Sequence, residues 1–238
     1  MKEELQKKYN ESLEFWDSAL KSEEAEFADV NPEADWRELG SSSLLEILDH
    51  MECMDNVLDY GCGSGWADVF LAKKGSKNIH AVDVSENGVE TAKLYAKSMK
   101  TKEQIKFEQV STEWLSEQPA EVYDHAICIN VVDVVPDEVS QSIIEGLANV
   151  VKKGGTVIIG MNPCFNADYG VGKEGIEWEG NYLLCDGILR VNNHTDEEWL
   201  AIINKSLELE KIEYYRMDME KEGTKRRLFF LRKAGTIE

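Results

Sequence analysis

Cysteine and proline are scarce in this sequence, and long apolar runs are absent. The 238 residues include five cysteines and four prolines. The cysteine number is odd and no Cys-x-x-Cys occurs, so we expect neither a disulfide framework nor a zinc site. No run approaches the roughly 18 apolar residues that a membrane-spanning helix needs, and the N-terminus does not resemble a signal peptide. We therefore expect a protein of the reducing cytoplasm, without a membrane partner or a bound metal.

Basic charge is also in short supply. The chain has 26 lysines and arginines against 46 aspartates and glutamates, which gives a net charge of −20. Nucleic acids are bound by basic faces that neutralise their phosphates. The nearest basic cluster, residues 225–227, precedes an apolar run and is interpreted more simply as the start of a strand. We expect no nucleic-acid partner, and the sequence does not indicate an oligomeric state.

The sequence does contain an alternation of short apolar strands and helical segments. Apolar strands separated by helices predict an α/β fold with a doubly wound, mostly parallel sheet that is covered on both faces. Ligands of such sheets bind outside the carboxyl ends of the strands, so the functional residues are expected just after each strand. The core strands are predicted at residues 56–60, 79–83, 105–110, 123–130 and 156–160.

The pattern divides the chain into four segments. Residues 1–54 predict a helical cap, and residues 55–160 hold the strand–helix alternation of the core. Residues 161–194 show little periodicity and are rich in Gly, Asn, Trp and Tyr, which is typical of a lid or binding loop. Within them, residues 184–191 predict a short hairpin. Residues 195–238 predict a helix opened by a capping box, followed by a strand hairpin.

A glycine-rich segment, Gly61-Cys62-Gly63-Ser64-Gly65, lies between the first core strand and the next helix. Glycines let the backbone turn sharply and approach a ligand, and the helix N-terminus offers free N–H groups. Asp83 ends the second strand 22 residues after Gly61, where a carboxylate accepts hydrogen bonds from ribose hydroxyls. These features predict a nucleoside-containing cofactor. Trp66 stands where the dinucleotide fingerprint has its third glycine, which disfavours a nicotinamide dehydrogenase.

Four segments of the chain resemble the motifs of one enzyme family. Val57–Gly65 closely resembles the first motif of class I S-adenosylmethionine-dependent methyltransferases. Ala81–Ser85, Tyr123–Pro136 and Lys152–Ile159 are similar to the acidic second motif and to the motifs of the fourth and fifth strands. The resemblance implies a Rossmann-like methyltransferase fold, in which the C-terminal hairpin completes a seven-stranded sheet with its last strand antiparallel. It also implies S-adenosyl-L-methionine as the cofactor.

The resemblance also implies roles for residues at the strand ends. Asp59 and the three loop glycines would approach the methionine part, Asp83 would hold the ribose, and Val84 would flank the adenine. The family often has an acid after the third strand that meets the adenine amino group, and Ser111 and Thr112 stand there instead. The implied cofactor-binding residues are Asp59, Gly61, Gly63, Gly65, Asp83, Val84, Ser111, Thr112, Asn130 and Val131, the last two beside the methionine amino group.

Methyl transfer from a sulfonium is an in-line displacement, in which the cofactor supplies the chemistry and the protein aligns the nucleophile. A general base is needed only where the nucleophile must lose a proton of high pKa. The candidates are His194, at the junction between residues 161–194 and the following helix, and Asp133, after the fourth strand. The alternatives are a solvated loop histidine and an aspartate that only bonds to its own loop.

The acceptor site is expected next to residues 161–194, with the N-terminal cap over the cofactor. The candidate substrate-binding residues are Trp16, Tyr169, Trp178 and Arg190, although Arg190 could instead pair with Asp186. No Asn-Pro-Pro-Tyr or Asp-Pro-Pro-Tyr follows the fourth strand, which disfavours nucleobases and glutamine as acceptors. With the acidic charge, this predicts a small-molecule acceptor. A methyltransferase of protein or RNA and a non-catalytic cofactor-binding protein are the alternatives.

Overall fold

The computed structural model describes residues 3–166 and 168–234. The described residues form seven α-helices and ten β-strands. The helices are α1 (Glu3–Ala19), α2 (Ser42–Asp49), α3 (Trp66–Lys73), α4 (Glu86–Ser98), α5 (Trp114–Glu117), α6 (Asp137–Val150) and α7 (Asp196–Ile203). The strands are β1 (Val57–Tyr60), β2 (Ile79–Asp83), β3 (Ile105–Gln109), β4 (Tyr123–Ile129), β5 (Val151–Met161), β6 (Ile176–Glu179), β7 (Tyr182–Cys185), β8 (Ile188–Asn192), β9 (Glu208–Tyr215) and β10 (Arg226–Arg232).

Seven of the strands form one mixed sheet in the order β3-β2-β1-β4-β5-β10-β9. Strands β1 to β5 are parallel to one another, and β10 runs antiparallel to both β5 and β9. The prediction of a doubly wound, seven-stranded sheet with an antiparallel last strand is therefore confirmed. The strand order reverses between β1 and β4, and a ligand crevice is expected outside the carboxyl ends of these two strands.

Apolar side chains cover both faces of this sheet. One core lies between the sheet and helices α6 and α7, with Leu147 and Trp199 among its fully buried members. The other lies between the sheet and helices α2 to α4, where Leu44 and Phe70 pack. Residues 67–72 of α3 are all buried, and all except Asp68 are apolar, so this helix lacks the solvated polar face of an amphipathic surface helix.

Strand β5 begins five residues earlier than the sequence predicts. The basic and glycine residues 152–155 are predicted to end the preceding helix, but the backbone passes directly from α6 into the strand. Val151 pairs with Tyr123 of β4, and the Gly154 N–H donates to the Lys233 carbonyl at 2.9 Å. These partners lie far away in the chain, so the local pattern of lysine and glycine does not reveal them.

The segment between β5 and α7 folds into a second, three-stranded antiparallel sheet in the order β6-β7-β8. The predicted hairpin at residues 184–191 is confirmed, since Leu184 pairs with Leu189 across the turn. Strand β6 is not predicted, because its four residues are too few to show a periodicity. A segment expected to be irregular is therefore a small sheet with its own hydrogen-bonded order.

Helix α1 packs against β8 of the small sheet and against α4 of the main domain. It thereby lies across the carboxyl ends of the core strands, where the ligand crevice is expected. No helix among the described residues is both long and apolar enough to span a bilayer.

Candidate active site

A cleft lies at the point where the strand order reverses, and we call it the switch-point cleft. Its walls are the loop after β1, the carboxyl ends of β2 and β4, the residues before α6 together with Ile143 of that helix, and the inner face of α1. It encloses about 420 Å³, within the range of small-molecule sites. The geometry of each wall follows from a few residues.

The loop after β1 turns sharply between a buried strand and a buried helix. Gly61, Gly63 and Gly65 all adopt positive φ, at +78°, +52° and +78°. A Cβ at Gly61 would lie 2.3 Å from Val131 Cγ2, and one at Gly65 would lie 2.8 Å from the Ala92 Cβ. Both positions therefore require glycine for conformation and for space. Gly61 and Gly63 line the cleft, whereas Gly65 begins α3 behind it.

Asp83 at the end of β2 has a fixed orientation towards this loop. Its Oδ2 accepts a hydrogen bond from the Gly63 N–H at 2.8 Å, and its Oδ1 accepts one from the Ser85 N–H at 2.8 Å. Burial raises the pKa of Asp83, while these N–H donors act in the opposite direction. Because an ionised carboxylate offers about four lone-pair sites, Asp83 can accept two further hydrogen bonds from a ligand.

Two more carboxyl groups are buried behind the loop. Asp59 is 2% exposed and Asp68 is 0% exposed, and neither lines the cleft. Burial raises the pKa of both groups. The sequence implies contact of Asp59 with the methionine part of the cofactor, but the structure places this side chain beneath the loop.

Helix α1 forms the cover of the cleft. Tyr9, Leu13, Trp16 and Leu20 face inward from it. Their spacing of four, three and four residues is that of one helical face. Sequence reasoning identified only Trp16, although this spacing could have indicated Tyr9, Leu13 and Leu20 as well. Leu20 Cδ2 lies 3.6 Å from the place where a Cβ of Gly63 would stand, so the cover and the glycine loop approach each other closely.

A single carboxylate attaches the C-terminal end of α1 to the start of α4. Asp17 Oδ1 accepts hydrogen bonds from Ser85 Oγ at 2.7 Å and from the Asn87 N–H at 3.0 Å. Asp17 Oδ2 accepts one from Asn87 Nδ2 at 2.6 Å. The bond from Ser85 is the main cause of the lowered pKa of Asp17. A carboxylate at a helix N-terminus is favourable, and here it comes from a distant part of the chain.

The far wall of the cleft is formed by residues that follow β4 and β5 and by the first residue of β10. Asn130 has a φ of +56° and an exposed side chain, and its N–H donates to the Gly160 carbonyl at 2.8 Å. Arg226 Nη1 donates to Asn162 Oδ1 at 3.0 Å. The guanidinium also pairs with Glu220 at 3.0 Å. Sequence reasoning missed Arg226 and Asn162, because their pairing depends on the antiparallel contact of β10 with β5.

The structure brings together seven of the sequence-predicted site residues. Those that line the cleft are Trp16, Gly61, Gly63, Asp83, Val84, Asn130 and Val131. Those that do not are Asp59, Gly65, Ser111, Thr112, Asp133, Tyr169, Trp178, Arg190 and His194. Ser111 and Thr112 are exposed, and the Thr112 hydroxyl donates to Glu113 at 2.8 Å.

The two predicted general bases lie outside the cleft. His194 is 8% exposed, and its Nε2 lies 2.7 Å from Asp137 Oδ1, a hydrogen bond that is the main cause of its raised pKa. Asp133 is fully buried, accepts a hydrogen bond from the Asn162 N–H at 2.6 Å, and has a pKa raised by burial. His194 is thus neither solvated nor inside the cleft, and the catalytic role of both residues stays a prediction.

Arg190, a predicted substrate residue on β8, lies on the outer side of α1. Its guanidinium carbon is 3.8 Å from the centre of the Phe15 ring and 4.8 Å from that of the Trp16 ring, and no ion pair with Asp186 is formed. Helix α1 therefore stands between Arg190 and the switch-point cleft. Trp178 Nε1 donates to the Tyr169 carbonyl at 2.9 Å, and neither residue lines the cleft.

Comparison with known proteins agrees with this geometry. A family model described as a methyltransferase domain matches residues 57–155. The ubiquinone biosynthesis O-methyltransferase of Neisseria meningitidis serogroup C is 33% identical over 110 residues, which cover 45% of this chain and 45% of that protein. The match to residues 57–155 is in accord with the resemblance of this chain to the class I S-adenosylmethionine-dependent methyltransferases. It spans less than half the length of the curated relatives that it matches.

Two solved structures show how widely the methyltransferase fold is shared. Magnesium protoporphyrin IX methyltransferase from Synechocystis PCC 6803, crystallised with S-adenosylmethionine, has a TM-score of 0.57 at 17% identity, over 83% of this chain and 79% of that one. The cyclase SpnF has a TM-score of 0.59 at 16% identity, over 87% of this chain and 86% of that one. At such identities the likeness concerns the fold alone.

The switch-point cleft fits the cofactor of the methyltransferase family. S-adenosyl-L-methionine has a nucleoside with two ribose hydroxyls, and Asp83 presents an oriented carboxylate beside glycines that admit no side chain. Apolar side chains of α1 and Ile129 of β4 also line the cleft. Among the described residues, no cluster of three or more His, Cys, Asp or Glu side chains could hold a metal ion.

Proposed function

We propose that this chain transfers the methyl group of S-adenosyl-L-methionine to a small-molecule acceptor by in-line displacement. The observation that carries the proposal is the switch-point cleft, in which a compressed glycine loop and the oriented carboxylate of Asp83 face the apolar side of α1. When bound, the cofactor supplies an activated methyl group on a sulfonium sulfur. The chain itself has to bind and orient the cofactor and the acceptor, and it has to exclude water.

Each of these tasks has candidate residues. Gly61 and Gly63 permit close approach of a ligand to the backbone, and Asp83 is the proposed acceptor of the ribose hydroxyl hydrogen bonds. Val84 is proposed to flank the adenine, and Asn130 and Val131 to lie beside the methionine part. The helical cap within residues 1–54 is proposed to exclude water, and the insertion at residues 161–194 to hold the cap in place.

We propose that the rate enhancement of methyl transfer comes from alignment of the cofactor and the acceptor. His194 and Asp133 are the less favoured alternative, because neither lines the cleft. If His194 were the general base, His194→Ala would lower kcat by roughly 10²–10⁴ and remove an ionisation from the pH–rate profile. Unchanged kcat and an unchanged profile would support alignment alone.

The size and charge of the site support a small acceptor. Helix α1 covers the cleft, and the chain carries a net charge of −20, both of which disfavour a protein or RNA strand at the methyl group. The names of the curated relatives make hydroxyl compounds the first acceptors to test. Five free cysteines are in accord with the proposed location in the cytoplasm.

Calorimetric titration with S-adenosyl-L-methionine and its demethylated product tests the proposal. Asp83→Asn should weaken binding by about 1.5–3 kcal/mol, roughly 10- to 150-fold, because charge-assisted hydrogen bonds are lost. The matched control is Asp29→Ala, an exposed acid that does not line the cleft. Absence of binding to the unmodified protein would refute the proposal. Binding without methyl transfer to any small compound would favour the non-catalytic alternative.

A further inference from the structure

A second chamber of about 330 Å³ adjoins the switch-point cleft on the side of helices α2 and α3. Most of its wall is apolar or aromatic, and the carboxylate of Glu38 stands at its exposed edge. We call this space the second chamber and define it by Leu39, Leu44, Trp66, Tyr95, Tyr215 and Met217. Of the residues that the family resemblance implies, Asn130 is the one that also lines this chamber.

The second chamber and the switch-point cleft share part of their walls. Trp66, Ile129, Asn130 and Arg226 line both. Asn130 is the notable member, since it combines a positive φ of +56° with an exposed amide side chain. Non-glycine residues in this conformation often mark functional sites. A molecule in the second chamber would therefore lie next to the end of β4, where the methionine part of the cofactor is proposed to lie.

The opposite side of the switch-point cleft is covered by two layers. The first is α1, and the second is the small sheet behind it. Ser12 Oγ donates to the Leu189 carbonyl at 2.9 Å, and Lys8 pairs with Glu179. An acceptor arriving from that side would have to displace both layers, whereas the second chamber borders the cleft without either of them.

The rim of the second chamber is already ordered by hydrogen bonds between distant parts of the chain. The Asp218 N–H donates to the Gly40 carbonyl at 2.9 Å, and the Ser42 N–H donates to Asp218 Oδ1 at 3.1 Å. Ser41 Oγ donates to the Arg216 carbonyl at 2.6 Å. These bonds join the segment before α2 to the segment after β9, so the chamber is largely preformed, as small-molecule sites usually are.

The charges around the second chamber indicate which acceptor it fits. Arg226 is the cation in its wall, and Glu220 neutralises that cation at 3.0 Å. Glu38 adds a negative charge at the exposed edge. An anionic acceptor would be repelled by Glu38 and would have to compete with Glu220 for Arg226. The apolar walls favour an uncharged body.

We propose that the second chamber binds the methyl acceptor, and that this acceptor is an uncharged small molecule with an aromatic or aliphatic body. The inference rests on the proposed function, since only a methyltransferase needs an acceptor beside the cofactor. It differs from the expectation that residues 161–194 form the acceptor wall. Asn130 and Arg226 line both spaces, so they would lie beside both ligands.

The test uses 2-naphthol as an uncharged probe, with the full chain saturated by S-adenosylhomocysteine. Methionine methyl groups are labelled with carbon-13, and the Met217 resonance is assigned with Met217→Leu. We expect a saturable shift of the Met217 methyl resonance. Met219, which is 93% exposed and does not line the chamber, should not shift.

A filling substitution supplies the second arm of the test. Leu39→Trp should weaken 2-naphthol binding at least tenfold while calorimetric affinity for S-adenosylhomocysteine stays within twofold. The matched control is Leu209→Trp, a half-exposed leucine on β9 outside both spaces, which should leave both affinities unchanged. 2-Naphthoate, the anionic analogue, should bind more weakly than 2-naphthol.

Three results would overturn the inference: an unshifted Met217, equal 2-naphthol binding in Leu39→Trp and the unmodified chain, or tighter binding of 2-naphthoate. These failures are distinct from a failure of the proposed function. If S-adenosyl-L-methionine binds and Met217 does not respond, only the acceptor assignment is wrong. If S-adenosyl-L-methionine does not bind at all, the proposed function itself is wrong.

Discussion

Replacement of Gly61 by alanine is the sharpest available test of how the cofactor loop is built. Gly61 has a φ of +78°, and a Cβ there would lie 2.3 Å from Val131 Cγ2. Ordinary contacts of a Cβ lie at 3.4–4 Å, so the loop or Val131 has to move by about 1 Å. Both residues line the switch-point cleft, and such a movement therefore changes the shape of the cleft as well as the stability of the domain.

The expected magnitude has two parts. An alanine in the left-handed region costs about 1–2 kcal/mol, and overpacking of a closed site costs about 1–3 kcal/mol. Gly61→Ala should therefore lower the free energy of unfolding by about 2–5 kcal/mol. Gly172 provides a matched control, because its φ is also +78° and a Cβ there would meet no atom within 4 Å. Gly172→Ala should show the conformational part alone.

A double variant separates the steric part of the destabilisation from the conformational part. Val131→Ala in the Gly61→Ala background removes Cγ2, so the steric part of the loss should be recovered while the conformational part persists. Urea unfolding measures the free energies of unfolding, and calorimetry measures the affinity of the cleft for S-adenosylhomocysteine. Equal destabilisation by Gly61→Ala and Gly172→Ala, or no recovery in the double variant, would refute the reasoning.

Three further substitutions probe the remaining charged groups. Asp17→Ala should lower the affinity for S-adenosylhomocysteine by roughly 2- to 30-fold, because a cap-like contact of about 0.5–2 kcal/mol is lost. Glu14→Ala, on the exposed face of α1, should leave this affinity unchanged. Asp68→Asn should raise the free energy of unfolding at pH 8 but not at pH 4. Burial raises the pKa of Asp68, so ionisation of this acid above its ordinary pKa destabilises the folded state. A loss of stability at both pH values would contradict this. His194→Asn should destabilise the chain more at pH 6 than at pH 9, because the raised pKa of His194 makes its bond to Asp137 a contribution that is lost as the pH rises through that pKa. A difference in unfolding free energy that is independent of pH would show that the His194 charge is not involved.

The core of the fold could be predicted because its signals are local. The strand before Gly61, the glycines themselves and Asp83 all lie within one β–α–β unit, whose handedness is nearly always the same. The residue types also indicate their roles, because glycine favours a positive φ in a sharp turn and an acid at a strand end can bind a ligand. Their meeting in one cleft then follows from the topology alone.

The cover and the far wall could not be predicted in this way. Asp17 belongs to a helix rich in charged residues, and only its contact with Ser85 distinguishes it from its solvated neighbours. Arg226 looks like the basic start of a strand, and its position in the cleft depends on the antiparallel pairing of β10 with β5. Arg190 lies within a correctly predicted hairpin, but the sequence does not reveal that its guanidinium stacks on Phe15 of α1.

The contacts that hold α1 over the cleft have a kinetic consequence for the proposed reaction. Lys8 holds the N-terminal half of this helix to the small sheet through Glu179, Ser12 donates to the Leu189 carbonyl, and Asp17 holds the other end to α4. A cofactor product that leaves past α1 requires these contacts to open, and on that route turnover cannot exceed the rate of the opening. Substitutions at Glu179, a residue that does not line the cleft, should accordingly change the residence time of the product without altering the methyl-transfer step.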